Sequence, residues 1–232
     1  PTSVVDYTMD TRSKTLRKQD EVMGGFNPDD YRSERMWATA RDGAKIPISI
    51  VMPRDFKKDG ASPLYQYAYG AYGYAMDPWF SASRLSLLDR GFAVAIAHVR
   101  GGEEMGRQWY NQGRMFNKKN TFTDYIDCSE FLIAEGYTSA KRLIAGGGSA
   151  GGLLIGAVAN LRPDLYWVMH AAVPFVDVVS TMLDASIPLT TNEYDEWGNP
   201  NKKEDYEYML SYSPYDQVKN QDYPHMIITT GL

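Results

Sequence analysis

Apolar and polar positions follow two different periods along this chain, and the two periods alternate after Pro63. Residues 92–99 form a nearly continuous apolar run, which is typical of a strand buried on both faces of a sheet. Residues 123–135 instead carry apolar side chains at helical spacing, and Gly136, a common residue at helix ends, follows them. Strands that alternate with helices in this way predict a parallel α/β sheet.

Local patterns define the remaining elements. Residues 1–35 begin with an extended stretch and contain a cluster of breakers at 22–28, which indicates a junction with an upstream domain. Residues 33–40 and 46–52 flank Arg41-Asp42-Gly43 and predict a β-hairpin around an Asp-Gly turn. Further strands are predicted at 64–69, 92–99, 142–145, 167–172 and 226–230, and helices at 81–89, 123–135 and 153–160.

A glycine-rich turn between a predicted strand and a predicted helix contains two overlapping motifs. Gly146-x-Gly148-x-x-Gly151 satisfies the dinucleotide-binding fingerprint. Gly147-x-Ser149-x-Gly151 satisfies the nucleophile elbow of α/β-hydrolases. The two motifs imply different functions, so the surrounding residues have to decide between them.

The surrounding residues favour the elbow. A dinucleotide site needs an acidic residue about 20 positions further on, and the strand at 166–171 has none at its end. A phosphate loop is excluded because no Lys-Ser or Lys-Thr pair follows the glycines. An elbow explains the small neighbours on both sides of Ser149, and it aims the Ala150 N–H at the point where an oxyanion would form.

The composition excludes several classes of protein. With 44% hydrophobic and 23% charged residues, the 232-residue chain has the make-up of a globular domain. The net charge of −5 leaves no basic surplus for nucleic acid, and no apolar run reaches the ~18 residues that span a bilayer. The single cysteine, Cys128, lies in a helical stretch as expected for a small buried hydrophobe, and it favours a reducing compartment. We expect a cytoplasmic protein with no cofactor, metal ion, membrane or nucleic-acid partner.

The residues around Ser149 belong to a longer series of motifs that runs from about residue 31 to residue 232. The motifs are Tyr69-Gly70-Ala71-Tyr72-Gly73, Ser83-Arg84-Leu85, His98-Val99-Arg100-Gly101-Gly102-Glu103, Lys119-Asn120-Thr121-Phe122-Thr123-Asp124, Arg162-Pro163-Asp164-Leu165, Val173-Pro174-Phe175-Val176-Asp177, Glu196-Trp197-Gly198-Asn199-Pro200 and Tyr212-Ser213-Pro214-Tyr215. With this series the chain resembles the prolyl oligopeptidase family of serine peptidases, and within it the oligopeptidase B group.

The resemblance implies a fold and a catalytic apparatus. Residues 1–20 would be the end of an upstream β-propeller domain, and residues 21–232 would form an α/β-hydrolase catalytic domain. Ser149 would be the nucleophile of an acyl-enzyme mechanism. The Tyr69 hydroxyl would be the second oxyanion donor beside the Ala150 N–H.

The resemblance also implies the substrate pocket. Glu193 and Asp195 lie in an acidic stretch that we predict to be a loop. In the proline-specific relatives this stretch supplies an aromatic floor, whereas carboxylates here would pair with Arg or Lys before the cut bond in short basic peptides. Asp195 replaces an expected Glu, and Phe175 would line the pocket. Asp77 resembles an acid of the neighbouring subsite, where Trp79 stands in place of a partner acid.

The general base is the missing part. A serine nucleophile needs a base that a third group orients, and in α/β-hydrolases the order along the chain is Ser, Asp, His. His98 precedes the nucleophile, His170 lies in a buried run and His225 enters the last strand at the wrong end, so each favours a structural role. We therefore expect a catalytic domain truncated before the triad Asp and His, and inactive alone.

Three alternatives to a peptidase that cuts after Arg or Lys stay open. They are a non-catalytic binding module that has lost its base, a prolyl-specific oligopeptidase and a general esterase. The acidic pocket and the propeller junction disfavour the esterase. An Asp and then a His-Gly pair in the coding sequence beyond Leu232 would decide for the peptidase against the binding module.

Overall fold

A two-stranded hairpin begins the chain, of which the computed structural model describes residues 1–231. Strands β1 (Ser3–Thr8) and β2 (Ser13–Gln19) pair antiparallel, and every residue in them is exposed. The Arg17 Nε and Asp6 Oδ2 atoms lie 2.6 Å apart and form an ion pair across the hairpin. The predicted extended start is confirmed, although this hairpin contributes nothing to the buried core.

The main sheet has the strand order β3-β4-β6-β5-β7-β8-β9. Its strands are β3 (Tyr31–Thr39), β4 (Lys45–Pro53), β5 (Leu64–Tyr67), β6 (Ala93–Ala97), β7 (Leu143–Gly148), β8 (Val168–Ala172) and β9 (His225–Thr229). β3 and β4 form the hairpin predicted around Asp42-Gly43, and β4 runs antiparallel to β6. From β6 through β5, β7 and β8 to β9 the strands are parallel. The predicted parallel sheet is confirmed, with an antiparallel edge.

The helices are α1 (Ala82–Leu88), α2 (Arg107–Asn111), α3 (Lys119–Ala134), α4 (Ala150–Leu161), α5 (Val178–Leu183), α6 (Tyr194–Trp197) and α7 (Lys203–Leu210). α4 starts at Ala150, directly after Ser149, and not at residue 153 as predicted. The loop predicted for residues 193–196 is wrong, because a 3₁₀ turn (Thr190–Glu193) continues into α6. The sequence pattern also misses α2, α5 and α7, since such short helices contain too few turns for a clear period.

The core lies between the main sheet and the helices α3 and α4. The side chains that these helices bury completely include Phe122, Tyr125, Leu132, Leu153 and Leu154. All of β6 is buried, as the apolar run predicted. Cys128 of α3 is buried as well, and burial raises the pKa of its thiol far above the usual value. Its predicted role as a small hydrophobe is confirmed.

Candidate active site

Ser149 forms the turn between β7 and α4 at the carboxyl edge of the sheet. Its backbone has φ 53° and ψ −116°, a conformation that non-glycine residues adopt at a cost. The Ser149 N–H donates to the Ala172 carbonyl at 2.9 Å, and the Ser149 carbonyl accepts from the Phe175 N–H at 3.2 Å. β8 and the segment after it therefore hold the strained turn from both sides, and the Ser149 side chain stays exposed.

The glycines on either side of Ser149 permit the close approach that this turn requires. A Cβ atom on Gly147 would lie 2.2 Å from the Gly151 carbonyl oxygen, and a Cβ on Gly151 would lie 2.7 Å from the Ala68 oxygen. Both distances are far shorter than any real contact of a Cβ atom. The motif thus has the strained, glycine-flanked geometry of a strand-to-helix nucleophile elbow.

Tyr69 and Ala150 lie beside Ser149. Tyr69 follows β5 and is half-buried, and its hydroxyl lies near enough to the Ser149 side chain for the two to interact. Burial raises the pKa of Tyr69 and the nearby Ser149 side chain opposes that rise, so the phenol is protonated at neutral pH. Ala150 is the first residue of α4, and the N–H groups of a helix's first turn have no intrahelical acceptor. Both a phenol and a free backbone N–H thus lie beside Ser149, and these are the kinds of donor that can stabilise an oxyanion.

Glu193 is held next to this group by aromatic donors. Its Oε2 atom accepts from the Tyr72 hydroxyl at 2.6 Å and from the Trp197 indole Nε1 at 3.0 Å. The ring centroids of Tyr69 and Tyr72 lie 6.3 Å apart, which connects the carboxylate to the Ser149 neighbourhood. Burial, followed by the hydrogen bond with Glu193, raises the pKa of Tyr72 well above its usual range.

Phe175 belongs to an aromatic cluster with Trp197 and Tyr72. Its ring centroid lies 5.4 Å from that of Trp197, and its backbone N–H is bonded to Ser149. Trp197 also stacks edge-on with Tyr72 at 5.6 Å. Phe175 thus connects the Ser149 turn, through its backbone, with the Trp197 and Tyr72 rings that donate to Glu193, while the pocket that the resemblance implies here stays a prediction.

Asp195 lies differently from Glu193. It is exposed, and its carboxylate has no hydrogen bond or ion pair within residues 1–231, whereas its carbonyl accepts from Arg114 Nη1 at 3.3 Å. The buried carboxylate of this segment is that of Glu196, which is 4% exposed and which the sequence did not single out. Glu196 accepts from the Tyr72 N–H at 3.0 Å and from the Tyr110 hydroxyl at 2.5 Å. The sequence does contain a signal for Glu196. It lies three residues after Glu193, and this spacing places two side chains on one face of a helix.

Asp77 is exposed and lies in the loop between β5 and α1, about eight residues after Tyr69. Its carbonyl accepts from the Trp79 N–H at 2.9 Å. The nearby Met76 N–H donates to Glu104 Oε1 at 3.0 Å, so a second acid does border this loop, although sequence reasoning did not select it.

The three histidines bond to groups other than Ser149. His98 is 1% exposed and its Nε2 atom lies 2.8 Å from Ser49 Oγ. His170 Nδ1 lies 3.2 Å from the Tyr65 hydroxyl. His225 is exposed at the start of β9 and packs edge-on against the Trp167 ring. Within residues 1–231 these contacts connect none of the three histidines to Ser149, and their structural role stays a prediction.

Neither a metal site nor a membrane span is found in residues 1–231. No group of three or more His, Cys, Asp or Glu side chains there is arranged to hold a metal ion. Of the helices in the described part of the chain, none has both the length and the apolar character needed to cross a bilayer.

Comparisons with known proteins give consistent results. Residues 78–232 match the sequence profile described as "Prolyl oligopeptidase family". The chain is 53% identical to dipeptidyl aminopeptidase BI of Pseudoxanthomonas mexicana, across 100% of this chain and 32% of that protein. It is 51% identical to protease 2 of Moraxella lacunata, across 100% and 34%. A solved structure of oligopeptidase B from Trypanosoma brucei with covalently bound antipain superposes with a TM-score of 0.93 at 49% identity, covering 98% of this chain and 32% of that one. The chain therefore spans about a third of the length of these relatives.

Proposed function

This chain belongs to the prolyl oligopeptidase family, and from that premise we propose that the full-length protein is a serine peptidase that cleaves short peptides after Arg or Lys. Ser149 Oγ attacks the scissile carbonyl and forms an acyl-enzyme, which water then hydrolyses. The Tyr69 hydroxyl and the Ala150 N–H stabilise the oxyanion of each tetrahedral intermediate. The solved structure of oligopeptidase B from Trypanosoma brucei holds covalently bound antipain, which supports a covalent mechanism for this related chain.

The general base and the aspartate that orients it come, in this proposal, from parts of the full-length protein other than these 232 residues. The support is that His98, His170 and His225 have structural partners. We also assign residues 1–20 to the end of a β-propeller domain and residues 21–232 to the catalytic domain. The exposed β1–β2 hairpin, which forms a sheet of its own, supports this division.

The observation that carries the specificity is the way Glu193 is held. Two donors, Tyr72 and Trp197, converge on its Oε2 atom. Its Oε1 atom has no hydrogen bond within the described residues, so it is available to a guanidinium or ammonium group of the substrate. The half-buried Phe175 ring, which packs against the buried Trp197, would cover the methylene groups of such a side chain.

The electrostatic gain is large enough to decide specificity. Truncating one partner of a buried, hydrogen-bonded charge pair costs ~2 to 5 kcal/mol. Because each 1.4 kcal/mol is a factor of ten, a pair of this strength separates basic from neutral substrates by ~30-fold or more. Arg is favoured over Lys because its planar group offers several donors to one carboxylate.

The test compares kcat/KM of the full-length protein for matched peptides with Arg, Lys, Pro or Phe before the cut bond. We expect the wild-type protein to prefer Arg and Lys, and Glu193→Gln to lower kcat/KM on Arg by ~30-fold or more while leaving Phe unchanged. Asp195→Asn is the matched control, since it removes an equal charge two residues away. It should cost less because the Asp195 carboxylate is exposed and unpaired in residues 1–231.

Two outcomes would contradict the proposed specificity. One is a wild-type preference for Pro or Phe, which would favour a prolyl-specific oligopeptidase. The other is a Glu193→Gln protein as active on Arg as the parent.

The similarity to a dipeptidyl aminopeptidase raises a second candidate function, the release of dipeptides. Peptides with a blocked amino terminus distinguish the two, because an internal-bond peptidase cleaves them and an aminopeptidase does not.

A further inference from the structure

Lys118 carries a charged group into the interior of the molecule. Its side chain is 1% exposed, and the residue immediately precedes α3. Lysine is almost never fully buried unless its ammonium group has partners. Burial lowers the pKa of Lys118 to about 8, and the Glu196 carboxylate opposes that shift. The side chain is therefore mostly protonated at pH 7, and its contacts are those of an ammonium ion.

One set of these contacts fixes the turn that carries Tyr69. Lys118 Nζ donates to the Gly70 carbonyl at 2.5 Å and to the Gly113 carbonyl at 3.2 Å. Gly70 directly follows Tyr69 and has φ +68°. A Cβ atom on Gly70 would lie 2.4 Å from Thr121 Cγ2, so the turn is pressed against the start of α3. Lys118 thus holds the backbone that aims the Tyr69 hydroxyl at Ser149.

The other contact fixes the acidic end of the pocket. Lys118 Nζ lies 5.2 Å from the centre of the Trp197 ring, within range of a cation–π interaction. Trp197 is 2% exposed and donates to Glu193. On the far side of the same region, Glu196 holds the backbone N–H of Tyr72. The ammonium group therefore contacts the indole that orients the Glu193 carboxylate.

We propose that Lys118 is a positioning residue that couples the oxyanion turn at Tyr69 to the substrate-binding carboxylate at Glu193 through Gly70 and Trp197. The inference rests on the proposed function, since it assigns Tyr69 and Glu193 their roles there. Lys118 touches neither the substrate nor Ser149. Replacing Lys118 should nevertheless lower both kcat and the preference for Arg over Phe. Replacing Tyr69 or Glu193 alone should lower only one of these two quantities.

The experiment uses four variants of the full-length protein and two matched peptides, with Arg or Phe before the cut bond. Tyr69→Phe should lower kcat on both peptides and keep the Arg-to-Phe ratio of kcat/KM. Glu193→Gln should lower that ratio and keep kcat on the Phe peptide. Lys118→Met should do both, with kcat on the Phe peptide reduced ~10- to 100-fold, the size seen for small misplacements of catalytic groups. Lys119→Met, at the exposed neighbouring position, should leave both values within about twofold of the parent.

Rates are expressed per active site, counted by titration with a phosphonate that traps the serine, so that misfolded protein does not enter the values. If Lys118→Met does not fold, Lys118→Gln carries the same test and should show smaller losses in both quantities. The inference is overturned if turnover and selectivity per active site stay within about twofold, or if only one of them falls. Failure of Tyr69→Phe and Glu193→Gln to act as expected would instead refute the proposed function.

Discussion

The backbone conformation of Ser149 costs free energy, and hydrogen bonds from neighbouring segments hold it in place. A non-glycine residue in such a sparsely populated backbone region costs on the order of 1–3 kcal/mol, and Ser149, at φ 53°, is in that position. Hydrogen bonds from Phe175 and to Ala172 offset the strain. The result is a serine side chain exposed at the carboxyl edge of the sheet, between Tyr69 and the start of α4.

At the same scale, the Tyr69 hydroxyl yields a prediction about turnover. Tyr69→Phe keeps the ring and its edge-on contact with Tyr74, at 5.7 Å, and removes only one donor. Loss of one oxyanion donor lowers kcat ~10²- to 10³-fold, and KM should change little because the donor acts on the transition state. Tyr74→Phe removes a hydroxyl from an exposed ring and is the control. Steady-state kinetics in which both variants lose equally little turnover would exclude Tyr69 as a donor.

The buried contacts of Lys118 and Glu196 could not be predicted from the sequence. The elbow could be predicted because its motif is local and its glycines have a steric reason. The buried charges could not, since Lys118 is one lysine among several and Glu196 one acid in an acidic run. Their importance follows only from contacts with Gly70 and with Tyr72 and Tyr110, which are distant in the chain.

Among the elements, β7, the elbow and α4 act as one unit. The strand and the helix approach so closely at Gly147 that an added methyl group would overlap the Gly151 carbonyl. At Gly148, a Cβ atom would meet the nearest atom, the Ala172 carbonyl oxygen, at 3.5 Å, an ordinary contact. Of these two adjacent glycines, Gly147 thus has no room for a side chain, whereas Gly148 has room for a methyl group.

This contrast predicts different effects for two neighbouring substitutions. Gly147→Ala should lower the free energy of unfolding by ~1–3 kcal/mol or more, as overpacking does, because the overlap is with backbone and cannot relax by a rotamer change. Gly148→Ala should change it by less than about 1 kcal/mol. Denaturant unfolding of both variants measures the difference. Equal stabilities would mean that α4 is not held against β7 as closely as described.

Elements differ in how well the sequence predicted them. The strands of the parallel part and the β3–β4 hairpin were predictable, since buried runs and an Asp-Gly turn are strong local signals. The helix α6 was not, because four residues with two acids resemble a solvated loop. Its helical turn is stabilised by tertiary contacts of Trp197 with Phe175 and Tyr72, which no local pattern contains.

At the scale of the whole molecule, the parallel sheet assembles the site. Tyr69 follows β5, Ser149 follows β7, and Phe175 follows β8, so all three lie at the carboxyl edge of adjacent strands. Ligand sites in open α/β sheets form at this edge. The acidic segment around Glu193 then folds over the same edge through contacts with Tyr72. Widely separated stretches of sequence thus meet at one point.

The central claim, that Ser149 is the nucleophile of the whole molecule, is tested most directly by identifying the residue that an organophosphonate labels. The full-length protein is treated with the probe, digested, and the modified peptide is sequenced by mass spectrometry. We predict a single adduct on Ser149, absent from Ser149→Ala, whose turnover should fall by ~10⁶ because the catalytic groups act as a unit. An adduct on another residue, or a Ser149→Ala protein that keeps near-normal peptidase activity, would contradict the assignment.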